Sequence, residues 1–130
     1  MCRNMEVNNL SAGTLAFVGD AVFGLLVREK LAEINRPSGE LHSRSVKFVK
    51  ASAQVEGFGI IESELSEKEL SIFKRGRNAH VNSIPKNATV RDYHIATGLE
   101  TLFGYLHMSV NDEREKELFN KIWENFKDII

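Results

Sequence analysis

Two acidic residues in this chain stand where acids are out of place. Asp20 lies inside the apolar run LAFVGDAVFGLLVREKL (15–31), and Glu100 inside ATGLETLFGYL (96–106). A carboxylate in such a run needs a partner, a metal or solvent, because burying an unpaired charge is costly. Both acids interrupt stripes of small residues. Ala16 and Gly24 stand one turn either side of Asp20, with Gly13 further back; Ala96 and Gly104 flank Glu100 at four-residue spacing, with Thr97 at three. Helical geometry places each set on one face. Two helices crossing along these stripes would bring the carboxylates into one site, where like charges repel and a hard divalent cation relieves the repulsion. Mg²⁺ suits such a site, since it keeps several waters and needs only one or two protein carboxylates. Close helix packing with a surface acid is the plainer alternative for Asp20.

A second feature is charge segregation. FKRGRNAHVNSIPKNATVR (73–91) holds five Lys or Arg and no acid, whereas residues 56–69 hold five acids and only Lys68 as a base. A cation beside a basic segment is the equipment for phosphodiester hydrolysis. Lys74 and Arg75 also suit the C-terminal turn of a helix by its dipole alone, which explains Arg77 and Lys86 less well. The net charge of −1 argues against indiscriminate polyanion binding, so any nucleic acid must be gripped by this local patch.

Other chemistry finds little support. His42, His80, His94 and His107 have no metal-ligand spacing, and Ser43, Ser45 and Ser52 lack a nucleophile setting. Gly57 and Gly59 do not form a phosphate loop. The single cysteine, Cys2, excludes an internal disulfide and a cysteine-rich zinc site.

The elements that must position these residues read as helices throughout. Apolar residues recur at helical spacing and β-branched alternation is scarce. Asn8, Asn9 or Ser11 caps a long helix reaching about Ile34, and Arg36-Pro37-Ser38-Gly39 breaks the chain. Ser38 is expected to cap a second helix carrying Leu41, Val46, Val49 and Ala53, interrupted at Gly57 and Gly59. Ser66-x-x-Glu69 has the form of a capping box opening a short helix closed by Gly76. Thr89 or Asp92 starts the helix bearing Glu100, and Asn111 caps the last, with Leu118, Ile122, Trp123 and Phe126 inward. At 130 residues, with ordinary composition and no repeat, this is one all-α domain over 1–130. The N-terminus lacks a secretory signal and no apolar stretch spans a bilayer, so no membrane role and a cytoplasmic location are expected. The helix around Phe17, Val18, Val22 and Leu25 carries more apolar surface than one bundle covers, which predicts a homodimer.

At this point the motifs carry a resemblance. GDAVF (19–23), followed some eighty residues on by LETLFGYL (99–106), resembles the catalytic domain of the ribonuclease III family. The likeness is strongest to its compact branch, through LHSRSVKFVKASAQ (41–54), FKRGRNA (73–79), PKN (85–87) and Tyr93. It covers nearly everything from Leu15 to Leu106 and implies a ribonuclease III-like helical bundle, a homodimer that cuts both strands of double-stranded RNA with Mg²⁺. It further implies a precursor of the large-subunit (23S) ribosomal RNA as substrate, without a separate double-stranded-RNA-binding domain. Carried onto this sequence, Asp20 and Glu100 match the catalytic, metal-binding acids. Lys74, Arg75, Arg77, Asn78, Lys86 and Asn87 match the RNA-binding positions. Two further acids of longer family members fall at Ala16 and Thr97, which implies a more hydrated metal site. An inactive RNA-binding domain of the same fold and a helical metal-dependent phosphohydrolase are the alternatives.

Overall fold

Ser11 begins the first long helix as an N-cap, its Oγ accepting from the Thr14 amide at 3.1 Å. The computed structural model describes residues 6–79, 86 and 88–126. After a short turn at Val7–Asn9 come α1 (Ala12–Ala32), α2 (Ser38–Val49), α3 (Ala51–Ile61), α4 (Glu67–Arg77), α5 (Val90–Met108) and α6 (Asp112–Phe126). No strand occurs among the described residues, and no helix there is long and apolar enough to cross a membrane. All-α architecture is as expected.

Several boundaries differ from the sequence reading. Pro37 occupies the cap of α2, so Ser38 is its first helical residue. The expected second helix is two, broken at Lys50, whose extended backbone (φ −65°, ψ 155°) turns the chain. Gly57 and Gly59 interrupt nothing; both lie within α3, where Gly57 is packed against Ile122. The capping box of α4 forms as expected, Ser66 and Glu69 satisfying each other's backbone donors. That helix continues past Gly76 to Arg77. Gly76 is a contact point, because a Cβ there would stand 2.1 Å from Thr101 Oγ1 on α5.

The central helix is α5. It is packed by α1 along most of its length and by α3 and α4 on other sides. Closest approach to α1 occurs at two glycines. A Cβ on Gly19 would fall 1.6 Å from the Glu100 carbonyl oxygen, and one on Gly104 would fall 1.8 Å from the Leu15 carbonyl oxygen. Backbone therefore touches backbone. The crossing runs through Gly19, immediately before Asp20, rather than through the Ala16–Gly24 stripe.

Around this crossing the core is aromatic. Phe23 meets Phe103 and Phe119 edge-on, each at 5.5 Å, and Phe58 stacks on Phe73 at 3.8 Å. The aromatic face of α6 closes the base, where Trp123 lies 4.8 Å from Phe48 of α2. An arginine ties α6 to α4: Arg114 donates to both Glu69 oxygens at 2.8 Å and to the Glu64 carbonyl. This guanidinium holds the Glu69 carboxyl below its ordinary range.

The two kinds of glycine separate by substitution. Gly104→Ala forces α1 off α5 and should lower stability by about 3 kcal/mol or more. Gly59→Ala meets nothing within 4 Å and should raise it by up to about 1 kcal/mol through helix propensity. Urea unfolding of both variants checks the pair; equal effects would remove the crossing from its central place.

Candidate active site

The glycine crossing sets the spacing of the two acids. Asp20 follows Gly19 on α1 and lies exposed; Glu100 contributes the carbonyl that Gly19 touches and is half-buried. Their carboxylates come within hydrogen-bonding reach of each other. The apolar run around Asp20 therefore does not bury it, and Glu100 is the acid that burial affects. Burial, with the neighbouring Asp20 charge and its hydrogen bond, pushes the Glu100 carboxyl up to about 7 against one opposing influence, a hydrogen bond from Gln54.

That hydrogen bond comes from a residue the sequence reading did not single out. Gln54 of α3 is 3% exposed, and its Nε2 donates to Glu100 Oε2 at 3.2 Å and to the Val49 carbonyl at 2.9 Å. Gln54 Oε1 is buried and has no hydrogen-bond partner among the described residues. Only its place at the end of the 41–54 motif marked it in the sequence. With Glu100, Gln54 lines a cavity of about 300 Å³ whose wall also includes Lys50, Tyr93, Ala96 and Thr97. Lys50 was likewise missed, because neither Gly nor Pro announces the α2–α3 break that places it there.

The sites of the two further family acids are neutral here. Ala16 is buried, and Thr97 Oγ1 is committed to the Tyr93 carbonyl at 2.8 Å.

The expected basic residues do not share one face. Lys74, Arg75 and Asn78 line an open concavity along α4, with Arg75 also donating to the Leu10 carbonyl at 3.1 Å. Arg77, expected beyond a helix closed by Gly76, is instead the last residue of α4. It bonds the Asn78 side chain, lies 5.9 Å over the Phe73 ring and shares a separate cavity with Arg91, Ile95 and Phe58. Lys86 is exposed in a turn, and Asn87 lies outside the described residues.

Residues 13–111 match the family described as Ribonuclease III domain. The chain is 46% identical over 113 residues to Mini-ribonuclease 3 of Thermoanaerobacter sp. (strain X514), covering 86% of this chain and 80% of that protein. Mini-ribonuclease 3 of Clostridium tetani is 37% identical over 119 residues, covering 90% of this chain and 79% of its own length. The chain belongs to the ribonuclease III family, in its Mini-ribonuclease 3 branch. A crystal structure of a protein from Fusobacterium nucleatum has the same fold, with a TM-score of 0.84 and 27% identity over 90% of this chain and 94% of that one. As a ribonuclease III family member the chain is an endoribonuclease of double-stranded RNA.

The family is generally Mg²⁺-dependent, and the crossing suits such an ion. Two carboxylates are pressed together, neither has a Lys or Arg ion-pair partner among the described residues, and their oxygens are hard donors. A second group of ligand-type side chains, which histidine spacing did not suggest, occurs at the α5–α6 corner. There His107, Asp112 and Glu115 present atoms within 4.8 Å of one another. His107 Nδ1 lies 3.1 Å from Glu115 Oε1, so this group already works as a brace between the two helices.

The raised Glu100 carboxyl has a signed consequence. Its native proton affinity exceeds the unfolded value of 4.5, so its contribution to metal-free stability is full below that value. The contribution is lost as pH rises through about 7. In chelator, the difference in unfolding free energy between wild type and Glu100→Gln should shift by at most about 3 kcal/mol from pH 4 to pH 8. The variant gains relative stability at the alkaline end. A pH-independent difference in urea midpoints would contradict the assignment.

Proposed function

We propose that this chain is a Mg²⁺-dependent endoribonuclease that acts as a cytoplasmic homodimer on double-stranded precursor of large-subunit (23S) ribosomal RNA. Residues 1–130 work as one catalytic domain in this reading. The observation that carries it is the meeting of Asp20 and Glu100 at the Gly19–Gly104 crossing.

Asp20 and Glu100 would hold the ion, whose charge would stabilise the negative charge that develops on the phosphoryl group during hydrolysis. The chain's own residues divide the remaining work. Glu100, half-buried and bonded by Gln54, is the fixed member of the pair, while exposed Asp20 faces the approaching substrate. Lys74, Arg75 and Asn78 offer donors to phosphates on an open surface that also includes Glu67, Lys86 adds an exposed cation in its turn, and Arg77 and Arg91 line a second concavity with Glu62. Asn87 belongs to the same RNA-binding set. A-form RNA presents its backbone and shallow minor groove, so charge and shape dominate recognition. The ribosomal precursor as substrate rests on the resemblance to the compact branch.

The homodimer is supported by the outer stripe of α1. Phe17 is 80% exposed and Leu25 56%, about two turns apart on the outer side of α1, with Phe17 one turn from Asp20. Val22, counted with them in the sequence, is buried in the protomer's own core. A partner docked on this stripe would place two sites on one duplex, one for each strand.

Asp20→Asn and Glu100→Gln should each reduce cleavage of double-stranded RNA at saturating Mg²⁺ by at least about a hundredfold, with binding retained. Near wild-type turnover in either would contradict the shared site, and a gel shift without cleavage by the wild type would favour the inactive RNA-binding domain. Sedimentation at micromolar concentration should show a dimer that Phe17→Glu converts to monomer; a monomeric wild type would overturn the two-strand arrangement.

The basic residues are tested by salt. Arg75→Ala, Arg77→Ala and Lys86→Ala should each reduce the salt dependence of RNA binding by a slope of roughly 0.7–0.9 and raise KM more than they lower kcat. Unchanged slopes in all three would mean that RNA is gripped elsewhere.

A further inference from the structure

We propose that Gln54 is a positioning residue that fixes the Glu100 carboxylate for cation binding; the inference rests on the reading of Asp20 and Glu100 as one metal site. The argument starts from the break at Lys50. Lys50 takes extended backbone between α2 and α3, and the Val49 carbonyl just before it accepts from Gln54 Nε2 at 2.9 Å. The same nitrogen donates to Glu100 Oε2 at 3.2 Å. The carboxamide therefore has its two donors committed, one to the helix corner and one to the acid.

Glu100 has three side-chain torsions, and the described structure gives its carboxylate two side-chain neighbours, Gln54 and Asp20. Asp20 carries the same charge and cannot hold Glu100 in place when both are ionised. Gln54 can, because an N–H donor is satisfied by a carboxylate and adds no charge of its own. A Lys or Arg in that place would hold Glu100 more strongly but would offset the charge that attracts the cation.

A simply structural role fits less well. Gln54 is buried, yet its Oε1 has no donor among the described residues, a state that ordinary cores avoid. A leucine of similar volume would fill the same space without that cost. The amide instead stands with its donor on a carboxylate whose direction matters for the cation. Bonds of this kind behind ligating carboxylates commonly govern metal affinity.

The test uses the full chain, ¹⁵N-labelled, titrated with Mg²⁺ and followed by NMR, for wild type, Gln54→Leu and Glu100→Gln. Gln54→Leu should fold with an unfolding midpoint equal to or above wild type, yet raise the apparent Mg²⁺ Kd by about 10- to 100-fold. Its cleavage of double-stranded RNA should fall at limiting Mg²⁺ and recover in part at saturation. Wild-type affinity for Mg²⁺ in a folded Gln54→Leu would overturn the proposal. In the wild type, the Gln54 side-chain NH₂ signals should move along the Mg²⁺ isotherm, a readout that stands even if the leucine variant does not fold. Stationary NH₂ signals while the Glu100 backbone amide shifts would overturn it equally. Undiminished Mg²⁺ binding by Glu100→Gln would instead sink the metal-site reading beneath it.

Discussion

Backbone-to-backbone contact between α1 and α5 is the constraint on which the rest of the molecule depends. At Gly19 and Gly104 no side-chain carbon fits, and the two helix axes come as close as their main chains permit. Closeness at this point has two effects. It lets short acids on separate helices reach each other, and it brings Phe23 of α1 and Phe103 of α5 into the edge-on contact at the middle of the core. Larger residues at either glycine would separate the acids and loosen the aromatic cluster together. The spacing of the acids and the packing of the core are therefore one requirement.

The same closeness creates an electrostatic conflict that the surrounding residues moderate without removing. Burial, and after it Asp20, works against ionised Glu100, and Gln54 works for it. Ala16 and the backbone-committed Thr97 add no further acid, so the local negative charge stays limited to the pair. A site of two carboxylates and one neutral amide is poised to gain from a cation, while the metal-free fold still tolerates it. Stability at this crossing is reduced by the pairing of like charges, a local rule of folding broken at the candidate site.

Much of this was legible in the sequence because it rests on side-chain type and helical period. Asp20 and Glu100 announced themselves as acids in apolar helices, and Ser11, Thr89 and the Ser66–Glu69 box marked helix starts through short-range chemistry. What could not be read depends on partners far along the chain. Gly76 has the look of a helix terminator, yet it is small because Thr101 and Gly98 of α5 press on it. Once α4 runs on through that contact, Arg77 is carried to a different face from Lys74 and Arg75. The break at Lys50 has no breaker residue, and the value of Gln54 appears only when α3 is laid against α5. The Arg114 clasp on Glu69 and Glu64 is hidden for the same reason, its donors and acceptors being some forty-five to fifty positions apart.

The wide separation of α1 and α5 along the chain also bears on when the enzyme comes into being. Asp20 is made some eighty residues before Glu100, and the helices carrying them can pair only after α5 has left the ribosome. Until then the apolar face of α1 lacks its main partner, and its contacts with α2 and α4 substitute only in part. Non-local pairing of this kind is slow to form and comes late in folding. In a growing chain Asp20 and Glu100 accordingly stay apart until α5 has been made and has packed on α1. The order in which the helices are made therefore sets the order of assembly, with the pairing of the two acids following the birth of α5.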